Sequence, residues 1–183
     1  MRKLILINIF IFFSINTQCQ RVNYNMLTET SNAHSISETY YYNSSIYSGI
    51  CYDVFENGNT KLQGNILDGK RNGIWKSFFE DGNIKSITHY DLGREDSCWL
   101  YFFPNGNLQR EINFENGKRF GICKNYFKNN QLKKCGYYLN NFKHGNWEWY
   151  NLNGNIRHKT TFSDGEIISE MCFDKSGKEI NCD

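Results

Sequence analysis

A unit of 24 residues recurs five times in register along this chain, and this periodicity constrains the fold more than any other feature. Each unit opens with a Gly-x-Trp site, at residues 49, 73, 97, 121 and 145. Cys51 and Cys123 stand in the tryptophan position, and Ser97 stands in the glycine position. Two turn signals of the Asn-Gly type follow at fixed distances in every unit. A short fixed period of this kind is typical of a repeat architecture.

Within one unit the pattern predicts strand, turn, strand, turn. Residues 74–79 are rich in aromatic and β-branched side chains, residues 80–82 form a Glu-Asp-Gly turn, and residues 83–90 form a return strand. Two strands joined by so short a turn must be antiparallel. Residues 91–96 are expected to be a looser connection. The sequence therefore predicts an all-β fold, an elongated antiparallel meander of β-hairpin repeats over residues 36–183.

The third unit predicts the hairpin register. Its Pro-Asn-Gly turn at residues 104–106 suits a three-residue loop with a left-handed glycine. Transferred to the second unit, this loop pairs Phe78 with Ile84. The Trp75 position has the opposite parity, so either both faces carry aromatic rings or a bulge intervenes. The register places these residues on one apolar face: Phe78, Ile84, Thr88 and Tyr90.

One position of the repeat forms a largely basic column on the opposite face, made of Lys61, Lys85, Gln109, Lys133 and Arg157. Such a column could bind anionic lipid headgroups or an acidic partner. It could equally be the solvated face of a half-buried sheet. The aromatic columns leave a similar choice, between stacking on sugars or peptides and packing between hairpins.

The first residues resemble a secretory leader rather than part of the fold. Arg2 and Lys3 precede an apolar run to Phe13, and a polar stretch leads to Cys19. We expect residues 1–19 to be a signal peptide and residues 20–35 a linker. Export would take the chain to the periplasm, the cell surface or the medium. Acylation of Cys19 is the weaker alternative, because Gln18 stands where a lipobox requires a small residue.

Net charge argues against nucleic acid as a partner. The chain has 21 basic and 19 acidic residues, and removal of residues 1–19 takes two basic residues and no acidic one. The mature chain therefore has no net charge. Nucleic-acid binders usually carry a basic excess, since phosphate contacts supply much of their affinity.

Six cysteines remain after Cys19, and an oxidising compartment would let them pair. The three-residue loop, applied to the fourth unit, places Cys123 opposite Cys135 and predicts a disulfide between them. The same rule places Cys172 opposite Ile180, which leaves Cys182 a diagonal neighbour and a less favoured partner. The alternative is six reduced, packed cysteines.

The histidines predict no catalytic or metal site. His34, His89, His144 and His158 share no position in the repeat, and the sequence has no C-x-x-C motif. We therefore expect a protein that is not an enzyme and that needs no cofactor.

The units resemble the MORN-repeat variants, the membrane-occupation-and-recognition-nexus family of bacterial repeat proteins. The resemblance rests on the Gly-x-Trp opening, the first turns FENGNTK, FEDGNIK and FPNGNLQ, and the second turn NFENGKRFG. It covers residues 36–183 and implies a hairpin meander with a scaffolding or binding role. Similar chains include antitoxin-like (YwqK-type) proteins, which makes an antitoxin-like role one hypothesis.

The leading hypothesis is a non-catalytic, exported module that binds a protein partner along its sheet. A membrane-surface or glycan-binding module is the alternative that the basic and aromatic columns leave open.

Overall fold

The computed structural model describes residues 21–30 and 38–182, which form one long sheet and one short sheet. The predicted signal peptide, Cys19 and His34 lie outside the described residues. A 3-10 turn covers Tyr24–Met26. Within the described ranges, no helix is long and apolar enough to cross a membrane. The strands are β1 Arg21–Asn23, β2 Thr28–Thr30, β3 Thr39–Tyr42, β4 Ser45–Ile46, β5 Gly49–Val54, β6 Thr60–Leu67, β7 Lys70–Phe78, β8 Ile84–Asp91, β9 Arg94–Phe102, β10 Leu108–Glu115, β11 Lys118–Tyr126, β12 Leu132–Leu139, β13 Phe142–Tyr150, β14 Ile156–Ser163, β15 Glu166–Phe173 and β16 Glu179–Ile180.

The long sheet is the predicted antiparallel meander. Strands β5 to β16 pair in sequence order, and β1 adds to β5 in parallel, which makes 13 strands. Antiparallel neighbours need only short connections, so the chain can return after every strand. The all-β hairpin meander expected from the repeat is confirmed.

The first turn of each unit is the predicted three-residue loop. In the second unit the Phe79 N–H donates to the Asn83 carbonyl at 2.8 Å, and Phe78 pairs with Ile84. Gly82 and Gly106 have positive φ, and Asn130 takes the same left-handed conformation in the fourth unit.

The second turn is tighter than the looser connection that the sequence predicts. Asp91 pairs with Arg94 across a two-residue turn in which Leu92 and Gly93 both have positive φ. Two left-handed residues in a row are the type I′ geometry that suits a twisted hairpin. The turn also joins repeats, because the Gly93 N–H donates to the Arg71 carbonyl at 2.7 Å.

A β-bulge in every return strand settles which residues share a face. Ser77 pairs with Ser86 but Phe78 pairs with Ile84, so Lys85 is an extra residue in β8. The bulge reverses the side-chain alternation beyond it. Phe78 and Ile84 therefore lie on the opposite face from Thr88 and Tyr90, and the predicted single apolar face was wrong. The extra residues in the five units are Lys61, Lys85, Gln109, Lys133 and Arg157.

The packed side of the sheet, here called the aromatic face, is built on the Gly-x-Trp sites. Trp75 and Trp147 are 1% exposed and Trp99 is 7% exposed. Each indole N–H donates to the carbonyl ten residues earlier, which satisfies the polar end of a buried ring. The glycine of the motif has φ of +70° at Gly73 and +64° at Gly145, at the point where three residues oppose one on the neighbouring strand.

Residues 21–30, which the sequence predicts to be linker, instead form part of a cap over the first unit. Strand β2 pairs with β3, and β3 with β4, while the Tyr40 N–H donates to the Gly69 carbonyl at 2.8 Å. Val22, Tyr40 and Tyr47 pack against Cys51, Ile66 and Trp75. The cap covers the start of the aromatic face, and beyond it the rings and cations of that face line open depressions.

Candidate binding groove on the aromatic face

A second 24-residue column, absent from the sequence predictions, places charge on the aromatic face. It consists of Arg71, Glu95, Arg119 and Lys143, each the second residue of its strand in β7, β9, β11 and β13. Arg71 pairs with the buried Ile66, and Arg119 pairs with Phe114, so the column shares the aromatic side of the sheet. The repeat period itself was the signal that could have found it, read two residues before the Gly-x-Trp site.

Cations of this face lie over aromatic rings. The Arg119 guanidinium is 5.1 Å from the centre of the Tyr138 ring, and the Lys143 ammonium is 4.5 Å from that of Phe162. Arg110, from return strand β10, is 6.0 Å from the Tyr101 ring. Cation–π contact holds such side chains in place while their remaining N–H groups stay free to donate.

The aromatic rings form a ladder with one break. Trp75, Tyr90, Trp99 and Phe114 follow one another at 6.3, 5.2 and 4.6 Å between ring centres. A second run begins at Tyr138, 5.0 Å from Trp147. Cys123 occupies the tryptophan position between the two runs and pairs with Ile112.

Two depressions lie along the face at and before this break. One of ≈ 450 Å³ begins at the edge of the cap, and one of ≈ 560 Å³ lies over Ile112. Both include Glu95 and Gly117, so they form one continuous groove, here called the aromatic groove. Its charged lining is Arg71, Arg94, Arg110, Arg119, Glu38 and Glu95.

The electrostatics of the groove favour an anion. Four arginines face two glutamates, and burial raises the pKa of Glu95 despite the nearby Arg119 charge. Burial, followed by the charges of Lys143 and Arg110, lowers the pKa of Lys134. The Nε atoms of Arg71 and Arg110 are buried without a hydrogen-bond partner among the described residues. Unpaired buried donors of this kind are uncommon and point to a missing acceptor.

The predicted Cys123–Cys135 disulfide is wrong. The bulge at Lys133 shifts the register by one residue, so Cys123 pairs with Gly136 and Cys135 pairs with Lys124. The two cysteines therefore lie on opposite faces and are free. Burial raises the pKa of the Cys123 thiol, which suits a packed side chain rather than a reactive one.

The disulfide that forms is Cys172–Cys182, the pair that the sequence disfavoured. Cys172 does pair with Ile180, as the register predicted. Cys182 follows the two-residue strand β16, and the chain there turns far enough to bring its Cα within 5.3 Å of that of Cys172.

The predicted basic column sits outside the aromatic groove, at the bulges. Lys61, Lys85, Lys133 and Arg157 are all exposed. Lys61 pairs with Asp53 at 2.8 Å, and the Lys85 and Lys133 ammonium groups lie 5.9 and 5.6 Å from the rings of Phe79 and Phe127. The structure thus spreads these residues along the hairpin ends and gives several of them local partners.

The described histidines stay apart, each beside its own carboxylate. His89 lies 3.7 Å from Asp96, and His144 lies 3.9 Å from Asp164. His158 lies 2.5 Å from Glu170 in the last described hairpin. They occupy three different units, as their lack of a shared repeat phase indicates.

Four successive stretches match the family profile described as the MORN repeat variant, over residues 71–92, 95–116, 121–140 and 143–164. These four units are MORN repeat variants. The matched stretches run from β7 to the turn after β14 and include most of the aromatic groove. Each MORN unit here contributes one second turn and one member of the charged column. A comparison with curated proteins finds no significant match. MORN repeats are generally associated with binding and scaffold roles, and a repeat family specifies architecture more tightly than ligand.

Proposed function

We propose that this chain is an exported interaction module that binds an acidic segment of a protein partner in the aromatic groove. The observation that carries the proposal is the set of arginines held over aromatic rings with buried, unpaired Nε atoms. Guanidinium groups bind carboxylates through two parallel hydrogen bonds, which makes acidic side chains the matching ligand.

The shape of the groove supports a peptide chain as the occupant. The groove is bordered by the second turns at Gly93, Gly117 and Asn141 and lined by rings such as Trp99 and Phe114. An extended segment can follow such a depression and present alternate side chains to it. A flat bilayer surface would instead contact the turns first and leave the buried Arg110 Nε without an acceptor.

Export is the second part of the proposal and rests on the leader. The charged and apolar layout of residues 1–13 supports secretion. N-terminal sequencing of the native protein tests this part separately. A mature chain beginning near residue 20 agrees with it, and a chain that keeps Met1 contradicts it.

The groove is tested by fluorescence anisotropy with a labelled oligoglutamate peptide at low salt. The double variant Arg110→Gln/Arg119→Gln is expected to weaken binding at least about tenfold, or ~1.4 kcal/mol. The matched control Lys85→Gln/Lys133→Gln removes the same charge from the bulge column and should leave binding nearly unchanged. Added salt should weaken the wild-type complex.

Circular dichroism melting of both variants shows whether either change acts through unfolding. Equal loss of affinity in the two folded variants would mean that the peptide senses overall charge, and the groove would not be the site. Binding to anionic vesicles with no binding to oligoglutamate would overturn the choice of an acidic peptide.

A further inference from the structure

A group of metal-ligating side chains outside the aromatic groove lies at the C-terminal end of the sheet. His158 in β14 pairs directly with Cys172 in β15. The ligand atoms of His158, Cys172 and Cys182 lie within 4.8 Å of one another. A cross-strand pair brings its side chains together on one face, so the sheet register itself assembles this cluster.

The surroundings of His158 fit a metal ligand. Its ring stacks on that of Trp149, with 4.8 Å between centres, which fixes the plane of the imidazole. Its Nε2 lies 2.5 Å from a carboxylate oxygen of Glu170. The cluster opens into a depression of ≈ 390 Å³ whose lining includes these four residues, His158, Glu170, Cys172 and Cys182.

We propose that His158, Cys172 and Cys182 bind one zinc ion when the Cys172–Cys182 disulfide is reduced. Two thiolates and one imidazole are three of the four ligands that zinc takes in tetrahedral protein sites. The Glu170 carboxylate supplies the fourth, and the metal replaces the proton held between this carboxylate and the imidazole. Cys182 lies two residues beyond the short strand β16, so its sulfur can move away from Cys172 to a separate ligand position.

Disulfide and zinc are alternative states because they use the same two sulfur atoms. A trialkylphosphine and one water reduce the disulfide to two thiols and leave the phosphine oxide. Zinc then binds the two thiolates, and their two protons pass to solvent. The site therefore holds metal in a reducing environment and a covalent cross-link in an oxidising one.

Zinc binding is measured by competition with a chromophoric chelator, on the full chain with and without phosphine. The reduced protein should bind one zinc per chain, and the oxidised protein should bind none at this site. Cobalt in place of zinc should give thiolate charge-transfer absorption only after reduction. Cys172→Ser, Cys182→Ser and His158→Gln should each weaken zinc binding at least about tenfold, since each removes one ligand.

The matched control is the triple variant Cys19→Ser/Cys98→Ser/Cys135→Ser, which removes three other thiols and should bind zinc as the wild type does. The proposal is overturned if the reduced wild type binds zinc no more tightly than Cys172→Ser/Cys182→Ser. It is also overturned if the triple variant loses the metal. His158→Gln keeps both sulfur atoms, so its loss of binding assigns the imidazole even if a cysteine variant folds poorly.

Discussion

Replacing Gly136 with alanine tests how the aromatic face is packed. A Cβ atom on Gly136 would lie 2.1 Å from Cδ2 and 2.3 Å from Cε2 of Trp147. An ordinary contact begins at 3.4 Å, so the indole would have to move by more than 1 Å. Trp147 is 1% exposed and its N–H donates to the Tyr137 carbonyl at 3.0 Å, so it has little room to move.

We expect Gly136→Ala to lower the free energy of unfolding by about 3 kcal/mol, the upper end of the range for overpacking a dense core. Gly64→Ala should match it, because that Cβ would lie 2.1 Å from Cδ2 of Trp75. Gly58→Ala is the control for backbone strain, since it has φ of +85° and no atom within 4 Å of the added Cβ. Its cost should be about 1 kcal/mol.

The same pair of positions offers a compensating change. In the third and fourth units, Ile112 pairs with Cys123, and each is 2% exposed. The chain thus combines a small residue with tryptophan in one place and a large residue with cysteine in another. Trp147→Cys alone should cost about 3–5 kcal/mol, as for other large-to-small core changes. The pair Gly136→Ile/Trp147→Cys should cost at least about 2 kcal/mol less than the sum of its single changes.

Urea unfolding followed by far-UV circular dichroism gives these free energies, because the signal reports the sheet rather than one tryptophan. Costs that add within about 0.5 kcal/mol would show that the two positions are independent and would refute the packing argument. A Gly136→Ala cost no larger than that of Gly58→Ala would refute it as well.

Two further changes test other features of the sheet. Burial alone would raise the pKa of Asp53, but Lys61 and the Val54 N–H and Asn25 amide donors lower it, so its contribution to stability is present above the unfolded pKa of about 3.9 and is lost as pH falls through the lower folded pKa. Asp53→Asn should therefore cost about 1–3 kcal/mol at pH 7, and unfolding titrations should show a smaller loss of stability below about pH 4 than in the wild type; an unchanged acid limb would contradict this. Leu92→Asn should stabilise the protein by about 0.5–1 kcal/mol in urea unfolding, because Leu92 is 45% exposed with φ of +44°, and a destabilised variant would contradict the turn assignment.

The meander could be predicted because every unit carries its own turn signals. The Pro-Asn-Gly loop at residues 104–106 predicted the pairing of Phe78 with Ile84, and the structure has that pairing. Register near a turn depends on the turn residues, which are visible in the sequence.

The faces of the sheet could not be predicted, because the bulges carry no residue signature of their own. Lys85 is compatible with an ordinary strand position and with a bulge. One extra residue reverses the alternation, so the assignment of Thr88 and the pairing of Cys123 both failed for the same reason. The charged column from Arg71 to Lys143 was missed because the wrong face was taken as the apolar one.

The cap could not be predicted because it lies outside the repeat. Strand β1 pairs in parallel with β5, almost 30 residues later along the chain: Val22 is the partner of Cys51. Parallel pairing of a three-residue strand depends on tertiary contacts such as those of Val22 and Tyr40, which a period of 24 residues does not describe.

The most direct test of the binding site is an NMR titration of the labelled protein with oligoglutamate, observing the tryptophan indole and arginine Nε–H signals. Trp99 lines the aromatic groove, whereas Trp75 packs with the residues of the cap. We predict that the Trp99, Arg110 and Arg119 signals shift most and that the Trp75 signal shifts least. Shifts confined to backbone amides around Lys85 and Lys133, with the Trp99 indole unchanged, would place the site at the bulges and contradict the account.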